Sequence, residues 1–327
     1  MSKQCQVGYG CGNSCISRGK NCISSNGPET KNLINNFSST IDQYMDEISG
    51  TQREKRPELE TLLAQGREEA KKYIAAEVVD GGINITPSTI EFEMMRDGLI
   101  SNSEITAEEI LDRVEWDEDA IPEDRRRKLA KGLIDIVKMT NSLPKDGFTM
   151  FRKPGKNRGY ADSGFTAEAV LALDRDVKDL PLQEKLNIAS QEYLDSPFEA
   201  GVNVGAPRER EDSLVYHEYA HHVEYANRDI ASVAQEWLVS RSGGQVKKLN
   251  ELTGTKVYRD SEIAVDAPDL MHPYVGKIYK MPASQPQTEV LSMGLEHFTS
   301  AREMRELYKA DKEHFFFILG VLKTLGN

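Results

Sequence analysis

Apolar residues recur at helical spacing through much of the first half of the chain. From Glu29 onward they stand three or four residues apart, which predicts an amphipathic helix over about residues 29–48. Similar patterns predict helices over about 57–79 and 123–141. Thr106 and Glu109 have the spacing of a capping box, which predicts the start of another helix. We therefore expect residues 29–144 to form a helical region.

The pattern changes after residue 144. The runs "FTMF" (148–151) and "GVNVG" (201–205) are typical of short strands, and a Gly-rich turn and a helical stretch separate them. A long helix is expected after the second run. The apolar run "FFFILGVL" (315–322) is too short to cross a membrane and is expected to be a buried element. These patterns predict a helix-rich α+β fold, with a Cys-rich module at 1–28, the helical region at 29–144 and another domain at 145–327.

Composition and charge narrow the classes of function. The chain has 327 residues, 39% hydrophobic and 29% charged, as expected of an ordinary soluble protein. Its formal net charge of −12 argues against a nucleic-acid partner, because phosphate binding relies on clustered Lys and Arg. The basic run "RRRK" (125–128) follows an acidic stretch and is expected to pair locally. The opening "MSKQCQVGYGCG" lacks the apolar stretch of a signal peptide, which favours an intracellular location or a virion assembled inside a cell.

The four cysteines all lie within the first 22 residues, in a segment rich in Gly, Ser and Asn: Cys5, Cys11, Cys15 and Cys22. Their spacing, C-x5-C-x3-C-x6-C, is wider than the short knuckles of most structural zinc sites. We expect an iron–sulfur cluster first, because it tolerates irregular spacing and neighbouring glycines let backbone amides approach its sulfurs. A second zinc ion held by four thiolates, two disulfides and unlinked thiols remain as alternatives.

Three of the six histidines lie close together in "SLVYHEYAHHVEYA" (213–226). His217 and His221 fit the pattern H-E-x-x-H, and residues at i and i+4 of a helix share one face, so both imidazoles can bind one ion. Glu218 is then placed to act as a general base on a water that the ion activates. His222 is turned away from that face and is expected to support the site or to be exposed.

A catalytic zinc ion needs a third protein ligand and one open position. The extended metzincin pattern is excluded because Glu224 and Asn227 occupy the positions of its Gly and His. Glu289 in "QTEVLSMGLEHF" is the favoured third ligand, at the start of a helix that Thr288 caps. Its alternative role is that of a first-turn carboxylate interacting with the helix dipole. Asp260, Asp266 and Asp269, which lie between the motif and Glu289, are alternative candidates for the third ligand.

The segments "HEYAHHVE" and "PYVGKIYKMPASQPQTEVLSMGLEHF" together resemble zincin-like metallopeptidase domains with a glutamate as third ligand. They are most similar to those encoded by bacteriophages and prophages, often within larger virion-associated proteins. The resemblance covers about residues 200–300. It implies that residues 145–327 form a zincin-like domain, with a small mixed sheet beside two ligand-bearing helices. It also implies zinc ligands at His217, His221 and Glu289, with Glu218 as general base.

The resemblance leaves the donor for the reaction's oxyanion undecided. Tyr274, Tyr279 and His297 are candidates, and each has an alternative role in packing or at the surface. Two functions are expected. The first is a zinc-dependent hydrolase, in particular a peptidase acting on a peptide or protein. The alternative is a structural or assembly protein of a phage tail, fibre or baseplate that binds other particle proteins and keeps the zincin fold and metal for stability.

Overall fold

The computed structural model describes residues 58–74, 87–144, 146–162, 200–241, 246–279 and 287–326, and the backbone of four further short strands. Two of these strands, β1 (Tyr9–Cys11) and β2 (Ser14–Ile16), form an antiparallel pair. All other described residues belong to one compact unit. The helix predicted over 29–48 lies outside the described residues, as do Cys5 and Cys22, and only the backbone is described at Cys11 and Cys15. The ligand expected at the cysteines therefore stays a prediction.

Ten α-helices are described in this unit. They are α1 (Leu59–Lys71), α2 (Thr89–Ser101), α3 (Ala107–Leu111), α4 (Glu123–Thr140), α5 (Glu211–Ala226), α6 (Arg228–Ser240), α7 (Leu249–Thr253), α8 (Glu289–Glu296), α9 (Ala301–Ala310) and α10 (Lys312–Leu325). The capping box predicted at α3 is confirmed, because Thr106 accepts a hydrogen bond from the Glu109 backbone N–H and the Glu109 carboxylate accepts one from that of Thr106. The buried element predicted over 315–322 is part of α10.

The strands of this unit are short. They are β3 (Val79–Asp80), β4 (Ile83–Asn84), β5 (Val114–Trp116), β6 (Phe148–Phe151), β7 (Tyr160–Asp162), β8 (Gly201–Asn203), β9 (Val246–Lys248), β10 (Ile263–Val265) and β11 (Lys277–Ile278). The largest sheet is mixed, in the order β5-β6-β8-β7. β5, β6 and β8 are parallel, and β7 runs antiparallel to β8 at the edge. A separate antiparallel sheet has the order β11-β10-β9.

One hydrophobic core joins helices from both sides of residue 144. Side chains of α1 and α4, such as Leu62 and Leu133, belong to the same buried cluster as Val215 of α5 and Leu319 of α10. The domain boundary expected at residue 144 therefore does not separate two cores. Burial of this apolar surface is the main force that holds these distant segments together.

The chain is confirmed as a helix-rich α+β protein with a small mixed sheet. Among the residues that the structure describes, none of the helices has the combination of length and apolar character that a membrane crossing requires.

Candidate metal centre

Helix α5 carries the two histidines of the HExxH motif on one face. The ring centroids of His217 and His221 are 5.2 Å apart, as their spacing of four residues predicts. The opposite faces of the helix bury Val215, Tyr219 and Val223 in the core. Because packing fixes the helix on those sides, the imidazoles are held over the start of another helix, α8.

The start of α5 is fixed by a buried arginine. Arg125 of α4 donates to both carboxylate oxygens of Glu211, at 2.8 and 3.0 Å, and to the carbonyl oxygens of Val204 and Gly205, at 2.7 and 3.0 Å. These contacts join α4, the segment after β8 and the first turn of α5. The expectation of local pairing for "RRRK" holds for Arg126, which donates to Glu118, and is wrong for Arg125.

Helix α8 presents Glu289 to both imidazoles. Glu289 is 0% exposed, and its Oε2 lies 3.2 Å from His217 Nε2 and 3.8 Å from His221 Nε2. Thr288 caps the helix as predicted, with its hydroxyl accepting from the Val290 N–H. The hydroxyl of Ser292 donates to Glu289 Oε2 at 2.7 Å, and that of Tyr279 donates to Glu289 Oε1. Three groups, two nitrogens and one carboxylate oxygen, thus face one point.

A second carboxylate stands behind His221. Glu224 is fully buried, and its Oε2 lies 3.4 Å from His221 Nδ1. The same carboxylate accepts hydrogen bonds from the Thr288 N–H, at 2.9 Å, and from the Thr288 hydroxyl, at 2.5 Å. Glu224 therefore orients one imidazole and also caps the helix that carries Glu289. The sequence analysis used this residue only to exclude the metzincin pattern, although its position one turn after His221 is the signal that could have found it.

A third carboxylate stands behind His217. The Oε1 atom of Glu296, at the end of α8, lies 3.3 Å from His217 Nδ1, although the angles do not meet hydrogen-bond criteria. Each histidine therefore has a carboxylate near Nδ1 and shares Glu289 near Nε2. Carboxylates in this outer position set the tautomer of metal-binding histidines and make their other nitrogen a better ligand. When Nδ1 carries the proton of a neutral imidazole, Nε2 keeps a free lone pair that can bind a metal ion.

The electrostatics of the cluster favour a proton on His217 when no cation is present. Burial lowers the pKa of His217, but the carboxylates of Glu289 and Glu218 outweigh burial and hold this pKa well above its ordinary value. Burial raises the pKa of Glu289, but His217 and His221 outweigh it and hold this pKa below its ordinary value. His217 and Glu289 thus form a buried ion pair, and a metal ion would replace that proton.

The donor set fits zinc. Two ligands about 2.05 Å from a tetrahedral ion are about 3.3 Å apart, close to the 3.2 Å between His217 Nε2 and Glu289 Oε2. Two imidazoles and one carboxylate also match the ligands of catalytic zinc sites. Glu218 offers an oxygen within 4.8 Å of the imidazole nitrogens as well. Of the two carboxylates, Glu289 is the better placed to bind an ion, because it faces both Nε2 atoms from full burial whereas Glu218 lines an open cleft.

Glu218 lies against the edge strand of the mixed sheet. A methyl group added at Gly159, just before β7, would stand 3.0 Å from Glu218 Oε1. The strand predicted at "GVNVG" is β8, which lies between β6 and β7, so that β7 is the edge strand on this side of the sheet. The sequence analysis predicted a turn for the residues of β7, because this segment is polar and rich in glycine.

The three candidate oxyanion donors are in different surroundings. Tyr274 lines the cleft with His217 and Glu218. Tyr279 already donates to Glu289, so its hydroxyl orients this carboxylate. His297 is not among the residues of the cleft, and its Nδ1 lies 3.3 Å from the Glu303 carbonyl oxygen. Burial and the Glu289 carboxylate raise the pKa of the Tyr274 hydroxyl, which therefore stays protonated and able to donate at neutral pH.

Lys277 was missed by the sequence analysis. Its side chain is only 11% exposed, and its Nζ donates to the Tyr274 and Tyr279 hydroxyls, both at 3.1 Å. It also lies 3.7 Å from Glu289 Oε1. Burial lowers the pKa of Lys277. No spacing rule marks this lysine, because only the fold of β11 brings it to the start of α8.

The other acidic candidates are engaged elsewhere. Asp260 accepts from Asn250 at 2.7 Å, and Asp266 pairs with Lys247 at 2.7 Å. Asp269 lines a different cavity, together with Arg241 and Asp311. His222 was expected to lie off the face of His217 and His221, and its Nε2 lies 2.9 Å from the Gly201 carbonyl oxygen of β8.

Comparison of the chain with protein-family models, with curated proteins and with solved structures gives no match. The candidate function therefore depends on the geometry of the site.

Proposed function

We propose that this protein is a zinc-dependent hydrolase of the peptidase type, with zinc held by His217, His221 and Glu289. The observation that carries the proposal is the approach of one buried carboxylate oxygen to both Nε2 atoms of an HExxH helix, with a further carboxylate behind each ring. The resemblance to zincin-like domains in two segments of the sequence points to the same chemistry.

Zinc bound at this site would lower the pKa of a bound water molecule to about 7 and polarise a substrate carbonyl. Glu218, which is 6% exposed and faces the cleft, accepts the proton of the attacking water and passes it to the leaving amine. Tyr274 donates a hydrogen bond to the oxyanion that develops on the carbonyl oxygen. A peptide lying along β7 would extend the sheet at its edge, which offers backbone donors and acceptors.

Replacing the proposed base tests the reaction. Glu218→Gln is expected to reduce peptide hydrolysis by at least about 100-fold, since general base catalysis contributes about 10²–10⁴. Zinc content, measured by elemental analysis, is expected to stay the same because Glu218 is not assigned as a ligand. Glu209→Gln, an exposed carboxylate outside the cleft, is the matched control and is expected to leave turnover unchanged.

Two results would contradict the proposal. Full turnover in the Glu218→Gln protein would remove Glu218 from the mechanism. A zinc-loaded wild-type protein that cleaves no member of a broad peptide library would leave a metal site that only stabilises the fold. That result would favour the alternative expected from the sequence, a structural protein of a phage particle.

A further inference from the structure

The cleft beside Glu218 contains two arginines as well as the carboxylates of Glu218 and Glu296. Arg158 and Arg208 both line it, together with His272, Tyr258 and Tyr274. The cleft has a volume of about 200 Å³, less than the roughly 300–1,000 Å³ of most small-molecule pockets, which fits one or two residues of a larger substrate.

Arg158 is held firmly in place. Its carbonyl oxygen accepts a hydrogen bond of 3.0 Å from the side chain of Asn203, which is fully buried in β8. Gly205 makes this close approach feasible, since it has φ +56° and a methyl group there would stand 2.7 Å from the Asn157 carbonyl oxygen. The strand β8 therefore fixes the backbone of Arg158 beside Glu218.

The guanidinium of Arg158 keeps donors for a ligand. It lies 5.3 Å from the centre of the Tyr274 ring, and one of its N–H groups donates to the Tyr274 hydroxyl. Among the described residues, the nearest carboxylate is that of Glu262, 4.0 Å away. The side chain is 56% exposed. Because a guanidinium has five N–H donors in a planar fork, most of them have no acceptor among the described residues.

Arg208 is the second arginine of the cleft. Its backbone N–H donates to Glu211 Oε1 at 3.0 Å, which fixes it just before α5. Within the described part of the chain, its exposed guanidinium has no ion-pair partner. Arg210 differs, because its guanidinium lies 3.2 Å from the Glu303 carboxylate and 2.8 Å from the Thr299 hydroxyl. Of these two neighbouring arginines, Arg210 thus has its guanidinium engaged in contacts that hold the fold together.

We propose that Arg158 and Arg208 bind a carboxylate of the substrate close to the bond that is cleaved. The inference rests on the proposed function, because it assigns the substrate class of the same site. Arginine suits this role, since its fork matches a carboxylate with two parallel hydrogen bonds. The net charge of −12 repels acidic ligands at long range, so short-range contacts have to supply the recognition. The carboxylate belongs to an Asp or Glu side chain or to the C-terminus of a peptide.

Binding to a protein that cannot cleave tests the proposal independently of turnover. Peptides that differ only by Glu or Gln, each with an amidated or a free C-terminus, are titrated by calorimetry into zinc-loaded Glu218→Gln protein and into metal-free wild type. We expect at least about tenfold tighter binding of the member with the recognised carboxylate, the order of one charged hydrogen bond. The Glu/Gln and free/amidated pairs identify which carboxylate it is.

Variants locate the binding residues. Adding Arg158→Gln or Arg208→Gln is expected to reduce the preference to less than about threefold, less than one charged hydrogen bond supplies. Arg158→Lys, which keeps the charge, is expected to retain part of it, and Arg152→Gln, an exposed arginine outside the cleft, all of it.

Equal binding of all four peptides, no measurable binding of any of them, or a preference that survives both Gln variants would overturn the assignment. A clear preference without cleavage by wild type would instead uphold carboxylate recognition and contradict the proposed hydrolase function.

Discussion

Some single side chains in this protein have two structural roles at once. Glu224 supports a proposed zinc ligand and caps the helix of another, so a single buried carboxylate joins α5 to α8. Arg125 does the same for α4 and the start of α5. In both cases a charge taken out of water is matched by hydrogen bonds of good geometry, without which its burial would be costly. The positions of the proposed zinc ligands therefore depend on residues that are not themselves proposed to bind the metal.

Removing the charge of Glu224 is expected to weaken zinc binding. Glu224→Gln keeps the shape of the side chain but replaces one acceptor oxygen with a donor that cannot accept from Thr288 or His221. Loss of such an outer carboxylate typically lowers metal affinity by about 10–100-fold. Competition with a coloured chelator measures the change, and Glu209→Gln serves as the exposed control. Unchanged affinity would mean that Glu224 serves only the helix start.

His314 is expected to make the protein less stable in acid. It is fully buried, with Nε2 2.7 Å from the Val290 carbonyl oxygen. Burial, with smaller contributions from His297 and Arg241, lowers the pKa of His314 from 6.5 to about 4, against the opposing effects of Asp311 and the hydrogen bond to Val290. Above pH 6.5 this group has no effect on stability. Between pH 6.5 and 4 the unfolded chain binds a proton that the folded protein excludes, so stability falls by up to about 3 kcal/mol.

Urea unfolding of metal-free protein between pH 4 and 7 measures this effect. The free energy of unfolding is expected to depend less steeply on pH in His314→Gln than in wild type, because Gln can still donate to Val290 but does not titrate. Since every other titrating group is common to both proteins, equal slopes would show that His314 takes up its proton normally.

At the scale of elements, α1 and α10 meet backbone to backbone. A methyl group at Gly320 would stand 2.0 Å from the Leu62 carbonyl oxygen, and one at Gly66 would stand 1.8 Å from that of Phe316. Such distances can be relieved only if the helices move apart. This contact joins α1 to α10. The sequence analysis had expected α1 to belong to a separate helical region, residues 29–144.

Gly320→Ala is therefore expected to destabilise the fold. Overpacking of this kind costs about 1–3 kcal/mol and sometimes more, which outweighs the higher helix propensity of alanine. Gly326→Ala at the end of α10 is the control. Its methyl group would meet nothing closer than 3.3 Å, so the change should stay within about 0.5 kcal/mol. Thermal unfolding of both variants provides the measurement, and equal midpoints would show that the two helices can separate without cost.

At the scale of the whole molecule, zinc is expected to stabilise the fold because its proposed ligands come from two helices, α5 and α8. A ligand that binds only the folded state adds about 2.7 kcal/mol at 100 times its dissociation constant. The gain should shrink as the pH falls, since the imidazoles must be neutral to bind and the pKa of His217 is raised in the metal-free protein.

Scanning calorimetry with and without zinc at pH 5 and 8 tests this expectation. A rise in the unfolding midpoint at pH 8 that is much smaller at pH 5, and absent in His217→Ala, is the expected result. A midpoint insensitive to zinc in a folded protein would contradict the metal centre. Elemental analysis of the same samples reports any iron or second zinc at the four cysteines.

The sequence by itself determined the features that depend on local spacing. Residues four apart share a helix face, so His217 and His221 had to meet, and the pairs around Thr106 and Thr288 fixed helix starts through contacts within one turn. Apolar spacing likewise predicted α4, because burial of one face is a property of the pattern, and the apolar run at 315–322 predicted a buried element, which is part of α10.

Only the tertiary structure decided which distant groups surround these helices. Glu224 reaches Thr288 across 64 positions, Arg125 reaches Glu211 across 86, and Lys277 arrives beside Glu289 through β11. The choice of β7 over β8 as the edge strand also depends on how the segments pair. Such contacts are set by the packing of the whole core, and no periodicity in a single chain encodes which loop the core brings to which helix.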